Sequence, residues 1–456
     1  MAKSLTASRK LWKIGAKEFN TQYFDFNKEG DLIIKEGHNI YNVRYLAEKF
    51  GTSLEIFMPF IIEERLEDLL DIAQALSKKI GYKGKFFYHF PMKVNQNKET
   101  IMSLVGEGAH LETSSYTDLY LIKKMLEQES FNPNIRILCN GPKTDKYMNL
   151  IDELQHKGVK IFPVIEAPNE LAFLQHSRYD VGIRLDMPVK AESYWNKRID
   201  RFGFSAKEIF EMGSFKNLKI LHYHIGSQIE KASDIIAPIK YALDVYFKLK
   251  EKNPSLDTLD IGGGMPIPYE RNKSYQVDKI MQKIFEVLKS ESEKRGVAHP
   301  NLVCEWGRYI VAPAQLNVYK VIDTKKIHGR KAEADKWYVI DGSFMNDLCD
   351  TWAIGQKWSV IPVNATRDKN LTKVWLAGST CDSDDTYHGK DGYVTLPDYE
   401  ANGHPMYIAV LDTGAYEEAL AMRHCLLAGP MKVIAENGHL VVARRRETPE
   451  DIGKVF

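Results

Sequence analysis

Short apolar runs, many of them β-branched, alternate with stretches of helical period from about residue 58 to 310. Runs at 86–94, 109–112, 135–140, 160–166, 181–185, 219–225, 258–261 and 302–305 predict eight strands. Between them, residues 66–80 place Leu66, Leu69, Leu70, Ala73, Leu76 and Ile80 at helical spacing. Residues 277–288 do the same with Ile280, Met281, Ile284, Val287 and Leu288. Ser115, three before Asp118, and Ser205, three before Glu208, are helix-start caps. Eight strands alternating with helices over about 250 residues predict a closed (β/α)8 TIM-type barrel.

The pattern changes after residue 312. Runs at 317–322, 337–340, 358–363, 373–377, 406–411, 431–434 and 440–444 follow without long helices between them and predict an all-β domain. Two extended segments near the start, 23–26 and 32–34, flank a turn and are expected to add strands to the C-terminal sheet. The expected organisation is therefore 1–57 as strands for the β-domain, 58–312 as the barrel and 313–456 as the β-domain. The absence of a repeat, a low-complexity tract or a Pro/Gly/Ser linker predicts packed domains rather than strung ones.

Composition narrows the function. Of 456 residues, 44% are hydrophobic and 27% charged, an ordinary globular balance. With 62 Lys+Arg against 61 Asp+Glu, the chain lacks the basic excess of a nucleic-acid binder. No run approaches the roughly 18 apolar residues of a membrane span. The opening MAKSLTASRKLWKIGAKEF lacks the apolar core of a leader, so a cytoplasmic protein is expected. The five cysteines, at 139, 304, 349, 381 and 425, fit neither a disulfide framework nor a metal-ligand spacing, and each is expected to be a buried thiol.

Barrel chemistry sits where strands end. Run 86–94 ends in PMKVNQ, with Lys93 beside Asn95 and Gln96; among apolar strand residues a lysine is desolvated and its pKa lowered, as condensation with a carbonyl requires. The plain alternative is a surface lysine. HIGSQ sets His224 and Ser227 at a rim, and Gly262, Gly263 and Gly264 free three successive amides for close approach to a phosphate, or simply make a tight turn. Glu305, Gly307 and Arg308 close the last strand; the glutamate suits a protonated pyridine nitrogen, or pairs with Arg308. In the β-domain, Cys381 is followed by Asp382, Asp384 and Asp385, carboxylates that raise a thiol's pKa and suit it to donating a proton. No glutamate follows at the distance a calcium loop needs.

Taken in order, PMKVNQ, HIGSQ, DIGGG, EWGR, TCDSD and DTGAY resemble the fold-type III pyridoxal-phosphate decarboxylases, the group of arginine, ornithine and diaminopimelate decarboxylases, from about residue 20 onward. MKVNQN, ILCNGPKTDKYM and WAIGQKWSVIPV are most similar to the biosynthetic arginine decarboxylases, while DIGGGMPIPY and RRRET resemble the diaminopimelate branch. The resemblance implies pyridoxal 5'-phosphate held covalently by Lys93, with Glu305 on its ring nitrogen and His224 on its ring face. It implies a phosphate cradle of Ser227, Gly262, Gly263, Gly264, Gly307, Arg308 and Tyr416. Glu112 and Arg184 match family positions near the cofactor. Cys381 would protonate the substrate α-carbon, Asp382 would meet its distal cation, and a homodimer would share its sites, with no metal. Asp347, Asp350, Asp384 and Asp385 make the expected distal pocket acidic, which favours a basic substrate. The implied reaction is arginine to agmatine and CO2 in polyamine biosynthesis, with lysine, ornithine or diaminopimelate as alternative substrates. A racemase or a non-catalytic regulator of the same fold are further alternatives.

Overall fold

A computed structural model describes residues 2–454 apart from 129–131, 133, 176, 189–199, 330 and 402. Eight parallel strands close a barrel: β1 Phe86–Pro91, β2 His110–Thr113, β3 Arg136–Cys139, β4 Lys160–Ile165, β5 Val181–Arg184, β6 Leu218–His222, β7 Thr258–Asp260 and β8 Asn301–Cys304. Closure is a hydrogen-bonded register, Leu302 opposite Phe86 and Cys304 opposite Tyr88, so no edge strand remains. Leu138, Phe162, Val164, Ile220 and Val303 form one buried cluster from β3, β4, β6 and β8, each adding about 1.5–3 kcal/mol of burial. The helices take the positions their periodicity predicts. Pro59–Ile80 buries Leu66, Leu69 and Ala73, and Val277–Lys294 buries Ile280, Met281, Ile284 and Leu288. Ser205 and Glu208 form a reciprocal capping box, and Ser115 Oγ accepts the Asp118 amide at 3.1 Å.

The chain divides into two compact units. One comprises Glu63–Pro266 and Gln276–Ile310 and contains the barrel. The other comprises Met1–Ile62, Ile267–Tyr275 and Val311–Phe456. Its main sheet has ten strands, with the long Gln315–Lys326 at its centre.

The strands expected at 23–26 and 32–34 do not join that sheet. Phe24–Phe26, Leu32–Glu36 and Asn39–Asn42 pair antiparallel as a separate three-stranded sheet, because tight turns bring each next to its sequence neighbour. The N-terminal strand that does join is Leu54–Phe57. It lies antiparallel to Gln315–Lys326 and parallel to Met431–Glu436, buried at every residue. Among the described residues no helix is long and apolar enough to cross a membrane.

Candidate active site

The C-terminal ends of the barrel strands converge on a buried polar cluster. His222 ends β6, Asp260 ends β7, and Glu305 follows β8; all three are buried. His222 Nδ1 stands 2.9 Å from Asp260 Oδ2 and 3.7 Å from Glu305 Oε1. Asn140, just past β3, donates through Nδ2 to Glu305 Oε1 at 3.3 Å, and the Gly262 amide donates to Asp260 Oδ1 at 2.9 Å. Burial, then the neighbouring carboxylate Asp260, pushes Glu305 up to about 7, against the pull of His222 and Lys93. Burial likewise raises Asp260 to about 7 and lowers His222. Glu112, on β2, is raised to about 7 by burial and by Glu305, while Ser114 Oγ donates to it at 3.0 Å. Such a cluster holds protons near neutral pH. The ligand atoms of His222, Asp260 and Glu305 lie within 4.8 Å of one another, a spacing that would also admit a cation.

Lys93 departs from expectation. The chain leaves β1 at Pro91 and makes a 3-10 turn, Met92–Val94, that buries its two apolar residues and leaves the lysine between them exposed. The apolar wall is thus built by Met92 and Val94 rather than around the amine. The ammonium charge still lowers the pKa of both Glu112 and Glu305, which places it at the same mouth.

The glycine loop follows β7 and is sterically required. A Cβ on Gly262, at φ +63, would stand 2.5 Å from the Tyr223 carbonyl, and one on Gly264, at φ +114, would stand 2.7 Å from Ile229 Cδ1. The Gly263 amide donates to His224 Nδ1 at 3.2 Å, fixing that half-buried ring against the loop. Beside it, Arg308 Nε donates to Ser227 Oγ at 3.2 Å. Gly307 is obligatory too, since a Cβ would fall 2.7 Å from Val94 Cγ2. Amides, a hydroxyl and a guanidinium therefore line one stretch of the rim, a donor set suited to a phosphate. Glu305 offers the carboxyl a pyridine nitrogen needs, and Glu112 Oε2 and Asn140 Oδ1 are buried polar atoms with no hydrogen-bond partner. These residues fit pyridoxal phosphate.

Arg184 ends β5 and is held by Glu166, Nη1 to Oε1 at 2.8 Å. Burial opposes ionisation of Glu166, but Lys143 and Arg184 hold its carboxyl below the usual range. Lys143 is itself fully buried, donating to the Gly141 carbonyl at 2.8 Å and the Val164 carbonyl, with Glu170 Oε2 at 3.4 Å.

The remaining expected residues belong to the other unit. Cys381 is exposed, its Sγ 3.5 Å from Cys425 Sγ, so the expectation that all five thiols are buried holds only for Cys139, Cys304 and Cys349. The Cys381 thiol is raised, but chiefly by its contact with Cys425; Asp382 is the weakest cause. Asp382 is half-buried, with His424 Nε2 at 3.2 Å from its Oδ2. Asp384 is exposed, and its amide donates to Asp382 Oδ1 at 2.9 Å. Asp385 is not part of an open acidic pocket: it is buried and accepts from Phe344 N at 2.7 Å, Ser343 Oγ at 3.0 Å and Thr380 Oγ at 2.7 Å. Asp347 is buried beside Ser343, whose amide donates at 3.0 Å, and burial raises it to about 7. Asp350 is buried, its amide donating to Glu417 Oε2 at 3.2 Å. Tyr416 sits half-buried at φ +73, just before the helix Glu417–Leu420.

His222, Asp260, Asn140 and Lys143 were missed from the sequence. The available signal was position: His222 and Asp260 are the last residues of their strands, where barrel chemistry gathers.

Residues 66–312 match the model of the pyridoxal-binding domain of pyridoxal-dependent decarboxylases, and residues 308–414 that of their C-terminal sheet domain. A biosynthetic arginine decarboxylase from Phocaeicola vulgatus is 25% identical over 373 residues, covering 73% of this chain and 58% of the relative. The chain thus spans little more than half the length of the first curated relatives it matches. The crystal structure of a biosynthetic arginine decarboxylase from Campylobacter jejuni superposes with a TM-score of 0.78 at 19% identity, over 94% of this chain and 89% of that one. The diaminopimelate decarboxylase of M. jannaschi gives 0.81 at 22% identity, over 95% and 97%.

Proposed function

We propose, for a chain that belongs to the pyridoxal-dependent decarboxylase family, that it removes the α-carboxylate of a basic amino acid, with L-arginine, giving agmatine and CO2, as its substrate. The observation that carries the reading is one barrel mouth holding a buried glutamate pushed up to about 7, a lysine charge acting on it, and a serine–arginine hydrogen bond beside a glycine loop with no room for Cβ. The arginine assignment is supported by the arginine decarboxylases among the relatives.

In this reading Lys93 holds the cofactor's aldehyde carbon, Glu305 its ring nitrogen and His224 its ring face. Ser227, the amides of Gly262–Gly264, Gly307, Arg308 and Tyr416 hold its phosphate, with Glu112 and Arg184 alongside. When bound, pyridoxal phosphate supplies an electron sink for the pair released as CO2 leaves. Asn140, His222 and Asp260 orient the Glu305 carboxyl, and their burial keeps water from competing for it. Cys381 delivers its Sγ proton to the substrate α-carbon, and Asp382 meets the distal cation, as would Asp347, Asp350 and Asp384 at longer range. Cys381 and Asp382 act on the barrel of a second copy, so the active form is a cytoplasmic homodimer with shared sites.

A CO2-release assay on arginine, lysine, ornithine and diaminopimelate tests the reading. Arginine should turn over fastest; a faster alternative replaces the substrate, and no release from any of the four overturns the reaction. Mixing Lys93→Ala with Cys381→Ala chains should restore part of the activity that each lacks, and no rescue rejects the shared site.

A further inference from the structure

Cys381 and Cys425 are 44 residues apart, yet their sulfurs are 3.5 Å apart and both are exposed. The meeting is built, because one buried segment clamps both loops. Ser343 and Phe344 donate to Asp385, which also accepts from Thr380, fixing the turn that carries Cys381. Two residues on, Asn346 takes the His424 amide through Oδ1 at 3.0 Å and donates Nδ2 to the His424 carbonyl at 2.9 Å, fixing the turn that carries Cys425. His424 Nε2, 3.2 Å from Asp382 Oδ2, ties the two turns directly. A disulfide needs sulfurs about 2.05 Å apart, a closure of about 1.5 Å from the present contact.

We propose that Cys381 and Cys425 form a reversible oxidation site that hydrogen peroxide closes to an intrachain disulfide. One thiolate attacks a peroxide oxygen; the O–O bond breaks, leaving a sulfenic acid on that sulfur while the expelled hydroxide takes a proton to become water. The second sulfur then attacks the sulfenic sulfur, the S–S bond forms, and the hydroxyl leaves with the remaining thiol proton as a second water. The two sulfurs lose two electrons and the peroxide gains them. A dithiol reductant reverses the product by exchange. The functional effect rests on the reading of Cys381 as the proton donor: a sulfur in a disulfide has no proton to give.

The test treats the holoenzyme with hydrogen peroxide, titrates thiols, and maps unreduced peptides by mass. Expected are the loss of two thiols per chain, a peptide linking Cys381 to Cys425, and CO2 release reduced at least about tenfold and restored by dithiothreitol. Cys425→Ser should be active before oxidation, form no such link, and instead gain oxygen on Cys381. An unchanged thiol titre, links among other cysteines, or oxygen gained on Cys381 of the unsubstituted chain overturns the proposal. If the link forms while CO2 release is untouched, the oxidation site stands and Cys381 loses its part in the reaction.

Discussion

The barrel mouth and the Cys381 loop carry their chemistry in opposite ways. In the barrel, Glu112, Asp260 and Glu305 are fully buried, and burial is the first cause of each raised pKa. In the other unit, Cys381 and Asp384 are exposed, and the strongest influence on the thiol is a single neighbouring side chain. A buried group is tuned by everything around it and resists any one substitution nearby. An exposed one is set by its contacts, and substituting Cys425 alone should release it.

The sharpest break in this contrast is Lys93→Ala, which should cut CO2 release by several orders of magnitude and leave no cofactor attached after borohydride; retained turnover ends the assignment. Glu305→Gln should lower kcat about a hundredfold with a smaller effect on KM, measured by steady-state kinetics. Next comes the loop that looks most disposable. Asp385→Asn removes a carboxylate serving Ser343, Phe344 and Thr380, and should cost about 1–3 kcal/mol in urea unfolding, although Asp384→Asn one residue away should cost almost nothing.

The smallest effect concerns pH. Asp260 and Glu305 titrate near 7 when folded and near 4 when unfolded, so between those values the folded chain keeps protons that the unfolded chain has lost. Their contribution to stability is full below the unfolded value and falls as pH rises through 7. Without cofactor, the Tm should drop from pH 5.5 to pH 8, and Asp260→Asn should shrink that drop by about 2 °C or more. An unchanged difference would mean that these carboxyls are not holding protons.

The barrel was legible because parallel strands buried on both faces read as continuous apolar runs, and all eight fall where those runs lie. Thr386–Tyr387 was not, since two residues show no period, and Val394–Pro397 ends in a proline that mutes a strand signal. Leu54–Phe57 was hidden because the helix Pro59–Ile80 follows almost at once, blending its apolar residues into a helical stretch. In the site, Glu305 stood out by ending its apolar run and His224 by opening the HIGSQ motif, whereas His222 and Asp260 lay within their runs. The Cys381–Cys425 contact was beyond reach, because nothing in a separation of 44 residues announces that two turns share one anchor.

Leu54–Phe57 also sets a timetable for synthesis. It leaves the ribosome well before its partners, because one of its hydrogen-bonding neighbours is made more than 250 residues later and the other, Met431–Glu436, more than 370 residues later. At about 5–20 residues per second the strand waits tens of seconds with both edges open, a period in which a chaperone or a neighbouring nascent chain competes for it.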